Sequence, residues 1–144
     1  MLFKNILVPF DLSSPAHHAF KVALDIAKKY DSKIILISCI EEDTWHHKFY
    51  DSRIYSQLLK KKRKIAEKYM KKLEVLANKA GVNIKFQVLR SASVVKDITA
   101  FAKSRKMDLI VMSSHGRTGW DKLILGSVAN GVIQRTRCPV LLIK

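Results

Sequence analysis

The sequence predicts an α/β fold, a three-layer sandwich around a five-stranded parallel sheet, and three observations carry that prediction. Short apolar runs alternate along the chain with stretches in which apolar residues recur at helical spacing. One run, "DLIVM" (108–112), is continuously apolar, as a central parallel strand covered on both faces should be. The 144 residues, 48% of them hydrophobic and 27% charged, suffice for one domain with one substantial core.

The first strand is "NILVPF" (5–10), a compact apolar run. Ala16, Ala19, Phe20, Ala23 and Ala27 then fall on one helical face, with Ser14 placed as N-cap and Pro15 as first helical residue. "KIILISCI" (33–40) is the second strand. After an irregular stretch, Leu58, Ile65, Tyr69, Leu73, Leu76 and Ala80 mark the apolar face of a long helix that stops at Gly81. "VNIKFQVL" (82–89) alternates, with Val82, Ile84, Phe86 and Val88 on one face, which suits an edge strand covered on one side. Val94, Val95, Ile98, Phe101 and Ala102 mark a third helix, "DLIVM" the fourth strand, and Val128, Ala129, Val132 and Ile133 a fourth helix. "PVLLI" (139–143) closes the sheet. Four helices and five strands in strict alternation require right-handed crossovers, and ligands of such sheets bind beyond the carboxyl ends of the strands.

The net charge of +15 is the one extreme total, and it predicts attraction to anions: nucleotides, nucleic acid or an anionic membrane. No run approaches the length of a membrane span, so no membrane partner is expected. The opening "MLFKNILVPFD" reaches an acid too soon for a signal peptide, and the expected location is cytoplasmic. Cys39 and Cys138, both in strand-like runs, read as buried free thiols, with a disulfide the lesser alternative.

Two strand ends carry chemistry. Asp11 follows the first strand and precedes a helix, where a carboxylate can hydrogen-bond sugar hydroxyls or hold a divalent cation bridging phosphates; a turn residue that helps cap the helix has equal claim. After "DLIVM" come Ser113, Ser114, His115 and Gly116, small enough to let backbone approach a ligand. Gly126 and Ser127 open the last helix, where free amides and the positive helix end favour an anion. A glycine turn followed by a serine cap is the bland alternative. Neither the Walker pattern nor GxGxxG is present.

Other stretches rank lower. "EEDTWHHKFYD" (41–51) reads as a solvated loop, since adjacent His46 and His47 have no defined ligand spacing. Lys60, Arg63, Lys64, Lys68, Lys71 and Lys72 read as a solvated basic helix face, with a phosphate-backbone patch as the functional alternative; without interleaved aromatics, any contact with nucleic acid is non-specific. Ser114 beside His115 suggests a nucleophile and a base, but adjacent residues rarely point at each other, and GxSxG is absent.

The spacing from Ser113 through Gly116 to Gly126-Ser127 resembles the G-2x-G-9x-G-[S/T] nucleotide motif of the universal stress protein family. The likeness spans the whole chain, through "NILVPFDLSSPA", "DLIVMSSHGRTG", "LILGSVAN" and "CPVLLIK". It implies a Rossmann-like or flavodoxin-like sheet of order 3-2-1-4-5, of the adenine nucleotide alpha hydrolase-like kind. It also implies ATP (or AMP/ADP) with Mg²⁺. Pro9, Phe10 and Asp11 would meet base and ribose, and the main chain of Cys39 the adenine edge. Met112, Ser113, His115, Gly116 and Arg117 would wrap ribose and phosphates, with Gly126, Ser127 and Val128 on the distal phosphates and Asp11 near the metal. A homodimer through the edge at Val140, Leu141, Leu142 and Ile143 is implied as well. Three departures accompany the match: Ser113 replaces the first motif Gly, "RSASV" (90–94) replaces a Gly-x-Pro, and Gly131 sits inside the last helix. The expected function is a stress-response nucleotide-binding module, a homodimeric regulator that is non-catalytic or weakly hydrolysing. A slow ATPase lacks an evident base to orient water, and a basic adaptor for nucleic acid or an acidic protein is the alternative.

Overall fold

The computed structural model describes residues 3–43, 46–49, 51–116 and 124–144. Its elements run β1 (Asn5–Pro9), α1 (Ser14–Tyr30), β2 (Lys33–Glu41), α2 (His46–Phe49), α3 (Ser52–Lys79), β3 (Ile84–Ser91), α4 (Val94–Ser104), β4 (Leu109–Ser113), α5 (Ser127–Arg135) and β5 (Val140–Ile143). The strands form one parallel sheet of order β3-β2-β1-β4-β5, the order expected from sequence, with β3 and β5 at the edges.

Each face of the sheet buries its own apolar cluster. Ile6, Val8, Ile34, Leu36 and Val111 point to one side, where α1 and α3 cover them with Phe20, Met70 and Leu73. Leu7, Ile37 and Ile110 point to the other, under Ile98 and Phe101 of α4 and Val132 of α5. This two-sided burial is why β1 and β4 read as apolar runs rather than as alternating ones.

Several local expectations are corrected. Ser13, not Ser14, caps α1: its backbone is extended and its Oγ accepts from the Ala16 amide at 3.2 Å, which leaves Ser14 as first helical residue and Pro15 as second. The stretch after β2 holds the extra helix α2, and α3 begins early, at Ser52, capped by Asp51, whose carboxylate accepts from the Arg53 amide at 3.1 Å. The face of α3 that meets the sheet carries Tyr55, Leu59, Ala66, Met70, Leu73 and Ala77. Of the residues expected there only Leu73 is buried; Leu58, Ile65, Tyr69, Leu76 and Ala80 are exposed. Two apolar stripes run side by side on this helix, and periodicity alone does not rank them. Gly81 ends it as expected, in the left-handed region at φ +80°.

The departures at "RSASV" and Gly131 have structural accounts. Ser93 caps α4, and its Oγ accepts from the Lys96 amide at 3.5 Å. Gly131 faces α4 so closely that a Cβ there would stand 2.7 Å from Val95 Cγ2, so the glycine permits the α4–α5 contact.

Candidate functional site

The parallel register creates a gap in the sheet. β1 pairs with β2 up to Pro9 and Ile37, and the Phe10 amide donates to the Ile37 carbonyl at 2.8 Å. There β1 turns away, whereas β2 continues beside β3 to the Glu41–Ser91 pair. Main-chain groups of a parallel strand face its two neighbours alternately. Lys33 and Ile37 bond toward β1, and Ile34 bonds toward β3, so the N–H and C=O of Cys39 face the side that β1 has left. On the other flank, β4 ends at Ser113 and the chain rises into the loop before α5.

A cavity of about 880 Å³ opens in this gap. Of the twelve positions singled out from sequence for a nucleotide, Pro9, Phe10, Asp11, Cys39, Met112, Ser113, His115, Gly116, Gly126, Ser127 and Val128 all line it. Arg117 lies outside the described residues. The wall includes residues the sequence did not point to: Ser38, Glu41, Lys62, Ile65, Val94 and Ile98. They come from β2, α3 and α4, and no local motif marks them.

Asp11 serves the turn. Its Oδ1 accepts from the Ser13 amide at 3.0 Å and from the Ser13 hydroxyl, and Ser13 in turn caps α1. Leu12 between them sits at φ +66°, a strained conformation for a branched residue that this pair of bonds holds in place. The Oδ2 of the same carboxylate reaches across the cavity floor to Gly116, where a Cβ would stand 3.0 Å away.

Gly126 is required by contact. Its amide donates to the Ser114 carbonyl at 2.8 Å, and a Cβ on it would meet that same oxygen at 2.8 Å. Gly126 is the N-cap of α5 and supplies no side-chain cap, so Ser127 is the first helical residue rather than a cap. The first intrahelical bond runs from the Asn130 amide to the Gly126 carbonyl. The amides of Ser127, Val128 and Ala129 precede that bond and lie at the positive end of the helix, at the cavity wall.

His115 clasps the loop. Its Nε2 donates to the Ile124 carbonyl, and its Nδ1 is 2.9 Å from the Ser114 hydroxyl. Nε2 thus ties residue 115 to residue 124, while Nδ1, contrary to the expectation for neighbours in sequence, meets the adjacent Ser114 hydroxyl. Ser113, standing at the first motif Gly, ends β4 in extended pairing with Ile143, so the serine meets no left-handed strain. Phe10 lines the cavity, but the residue is only 2% exposed and its ring stacks on Tyr69 with centroids 5.8 Å apart, so it offers a rigid wall.

Both cysteines are free thiols, and both are half-buried rather than buried. Burial, with lesser contributions from Asp97 and Glu41, pushes the Cys39 thiol up to about 12. Burial and Asp108 raise that of Cys138, whose Sγ donates to the Met107 carbonyl at 3.2 Å. Among the described residues, no three His, Cys, Asp or Glu side chains cluster as a metal site, and no helix is long and apolar enough to cross a membrane.

Comparison with known proteins agrees with this fold. The profile of the universal stress protein family matches residues 2–144. A universal stress protein of Methanocaldococcus jannaschii is 34% identical over 152 residues, covering 99% of this chain and 83% of that protein. The solved universal stress protein of Lactobacillus plantarum superposes with a TM-score of 0.88 at 23% identity, over 100% of this chain and 99% of that one. One from Archaeoglobus fulgidus, solved in complex with dAMP, gives 0.67 at 19% identity with both chains fully covered. A further one, solved in complex with cAMP, gives 0.67 at 19% identity, over 99% of this chain and 98% of that one. The chain belongs to the universal stress protein family.

Proposed function

We propose that this chain is a stress-response regulator of the cytoplasm that binds an adenine nucleotide, ATP or its AMP and ADP counterparts, in the cavity at the carboxyl ends of the strands. The observation that carries this reading is the convergence of the α5 amides that precede its first helical bond, the Cys39 main chain and Asp11 on one cavity of nucleotide size. Two structural neighbours hold adenine nucleotides, which supports the choice of base. The adenine edge presents one donor beside one acceptor, and the N–H and C=O of Cys39 complement it. Phosphates take the amides of Ser127 and Val128, with the Ser127 hydroxyl as a further donor. Mg²⁺ fits as an ion held chiefly by the phosphates, with Asp11 as its one carboxylate. Binding, with at most slow hydrolysis, is the function this reading assigns, since His115, the imidazole at the phosphate end, is engaged by Ser114 and the Ile124 carbonyl.

With a net charge of +15 any polyphosphate binds weakly, so the test must ask for the base. Ligand at about 100 times its dissociation constant adds about 2.7 kcal/mol, which for a domain of this size raises the melting temperature by roughly 5 to 15 °C. Mg-ATP is expected to do so at physiological salt, with Mg-GTP and inorganic tripolyphosphate doing much less. Equal shifts from all three, fading together with added salt, would mean that the basic surface binds and the cavity does not.

The homodimer belongs to the same reading. β5 is an open edge: Ile110 and Ser114 bond to the Pro139 and Ile143 carbonyls, so the main-chain groups of Val140 and Leu142 face away from β4. A second copy can continue the sheet there about a two-fold axis. Val140 and Leu142 pack on the core beneath α4 and α5, so changing them disturbs the fold, whereas Leu141 is exposed. Leu141→Lys is therefore expected to shift the protein from dimer to monomer in sedimentation velocity. A wild-type protein already monomeric at high micromolar concentration refutes the pairing.

A further inference from the structure

A second apolar stripe runs along the outer side of α3; its Tyr69 stacks on Phe10, and its four aliphatic side chains are exposed. Ile54, Leu58, Ile65, Tyr69 and Leu76 fall within about 60° of arc and extend for about 33 Å along the helix. Ile54 is 57% exposed and Leu76 61%, so these are large aliphatic groups standing in water. Along the side of the stripe away from the sheet lie Lys61, Lys64, Lys68, Lys72 and Lys79, all exposed. The two carboxylates of this helix stretch, Glu67 and Glu74, are turned further round and are paired with Arg63 at 2.8 Å and Lys71 at 2.9 Å. They do not neutralise the row beside the stripe.

From this we infer that the outer face of α3 docks on an anionic lipid surface, with the aliphatic stripe entering the headgroup boundary and the lysines reaching the phosphates beside it. A long helix lying flat, with bulky aliphatics along one line and lysines flanking them, is the form an interfacial helix takes. Lysine stems lie along apolar surface while their ammonium groups stay in water, so the two features reinforce each other. Each lysine near an anionic bilayer adds a similar electrostatic increment. A second copy is disfavoured, because two such faces in contact would oppose their lysine rows. Nucleic acid uses the charge but leaves four aliphatic side chains with nothing to stack on. Protein interfaces are depleted in lysine and enriched in aromatics and arginine, the opposite of this face. Ile65 and Lys62 also line the cavity, so a docked bilayer would lie at the edge of its mouth.

The test is co-sedimentation of the full chain with vesicles of pure phosphatidylcholine and with an equal mixture of phosphatidylcholine and phosphatidylglycerol. Wild type is expected to bind the mixed vesicles and not the neutral ones. Leu58→Gln with Leu76→Gln keeps the charge and the buried face of α3, and far-ultraviolet circular dichroism checks that the helix persists. This pair should bind the mixed vesicles about tenfold more weakly or worse. Lys64→Gln with Lys68→Gln should lose about as much. Lys96→Gln with Lys103→Gln, which removes equal charge from α4, should stay within about twofold of wild type. The proposal is overturned if wild type ignores the mixed vesicles. It is equally overturned if the leucine pair binds them as wild type does, because the face is then a charge-only surface of the kind nucleic acid takes.

Discussion

Gly126→Asp is expected to leave the protein without measurable affinity for Mg-ATP in calorimetry. The substitution places a carboxylate at the end of α5 where the amides of Ser127 and Val128 would receive phosphate, so it replaces attraction by repulsion at short range. The substitution also strains the fold. A Cβ at this position stands 2.8 Å from the Ser114 carbonyl and 3.4 Å from His115 Cα, both main-chain atoms, so the start of α5 must move away from the end of β4. Overpacking of this kind costs about 1–3 kcal/mol, and a melting temperature lower by several degrees accompanies the loss of binding. Gly126→Ala separates the two contributions, since it carries the same clash without the charge. It is expected to show a similar drop in melting temperature and a weakened but measurable affinity. A folded Gly126→Asp protein that binds Mg-ATP as wild type does would refute the phosphate assignment.

The second large effect is expected at Asp11, where the turn and the ligand make separable demands. Asp11→Asn keeps an oxygen able to accept from the Ser13 amide, so the turn, the strained Leu12 and the α1 cap survive. The melting temperature should change little. The negative charge is gone, however, and with it a charge-assisted interaction worth about 1.5–3 kcal/mol, or about 10- to 100-fold in affinity. Titrations with and without Mg²⁺ should therefore show both a weaker Kd for ATP and a smaller dependence on the metal. Unchanged affinity together with a lowered melting temperature would assign Asp11 to the turn alone.

The parts of the molecule visible in the sequence are those that local physics governs. The inner strands were legible because two-sided burial demands unbroken apolar runs, and the parallel sheet followed from strict alternation with helices, whereas its order came with the family resemblance. The small residues at Ser113–Gly116 and Gly126 were legible because close main-chain approach leaves few alternatives, and the 2.8 Å contact at Gly126 is such a case. What depends on distant partners was not legible. The useful face of α3 is decided by the shape of the sheet beneath it, so Ile65 and Leu76 looked as suitable for burial as Met70 and Ala77. Either of two adjacent serines can cap α1, and only the turn set by Asp11 selects Ser13. His115 reads locally as a phosphate ligand. Its bond to the Ile124 carbonyl depends on how the loop returns, which no spacing rule foretells.

The overhang of β2 past the end of β1 bears on how such a site can change over evolutionary time. A recognition element built from the N–H and C=O of residue 39 belongs to the register of the sheet, not to the side chain that happens to occupy it. Codons at this position can drift among small and medium residues without touching the donor and acceptor that face the gap. If the base is read there as proposed, a descendant that prefers another base must instead alter the strand pairing itself or rebuild the walls contributed by Val94 and Ile98. Main-chain reading thus makes ligand choice a property inherited with the topology, robust to point substitution and correspondingly hard to retune one residue at a time.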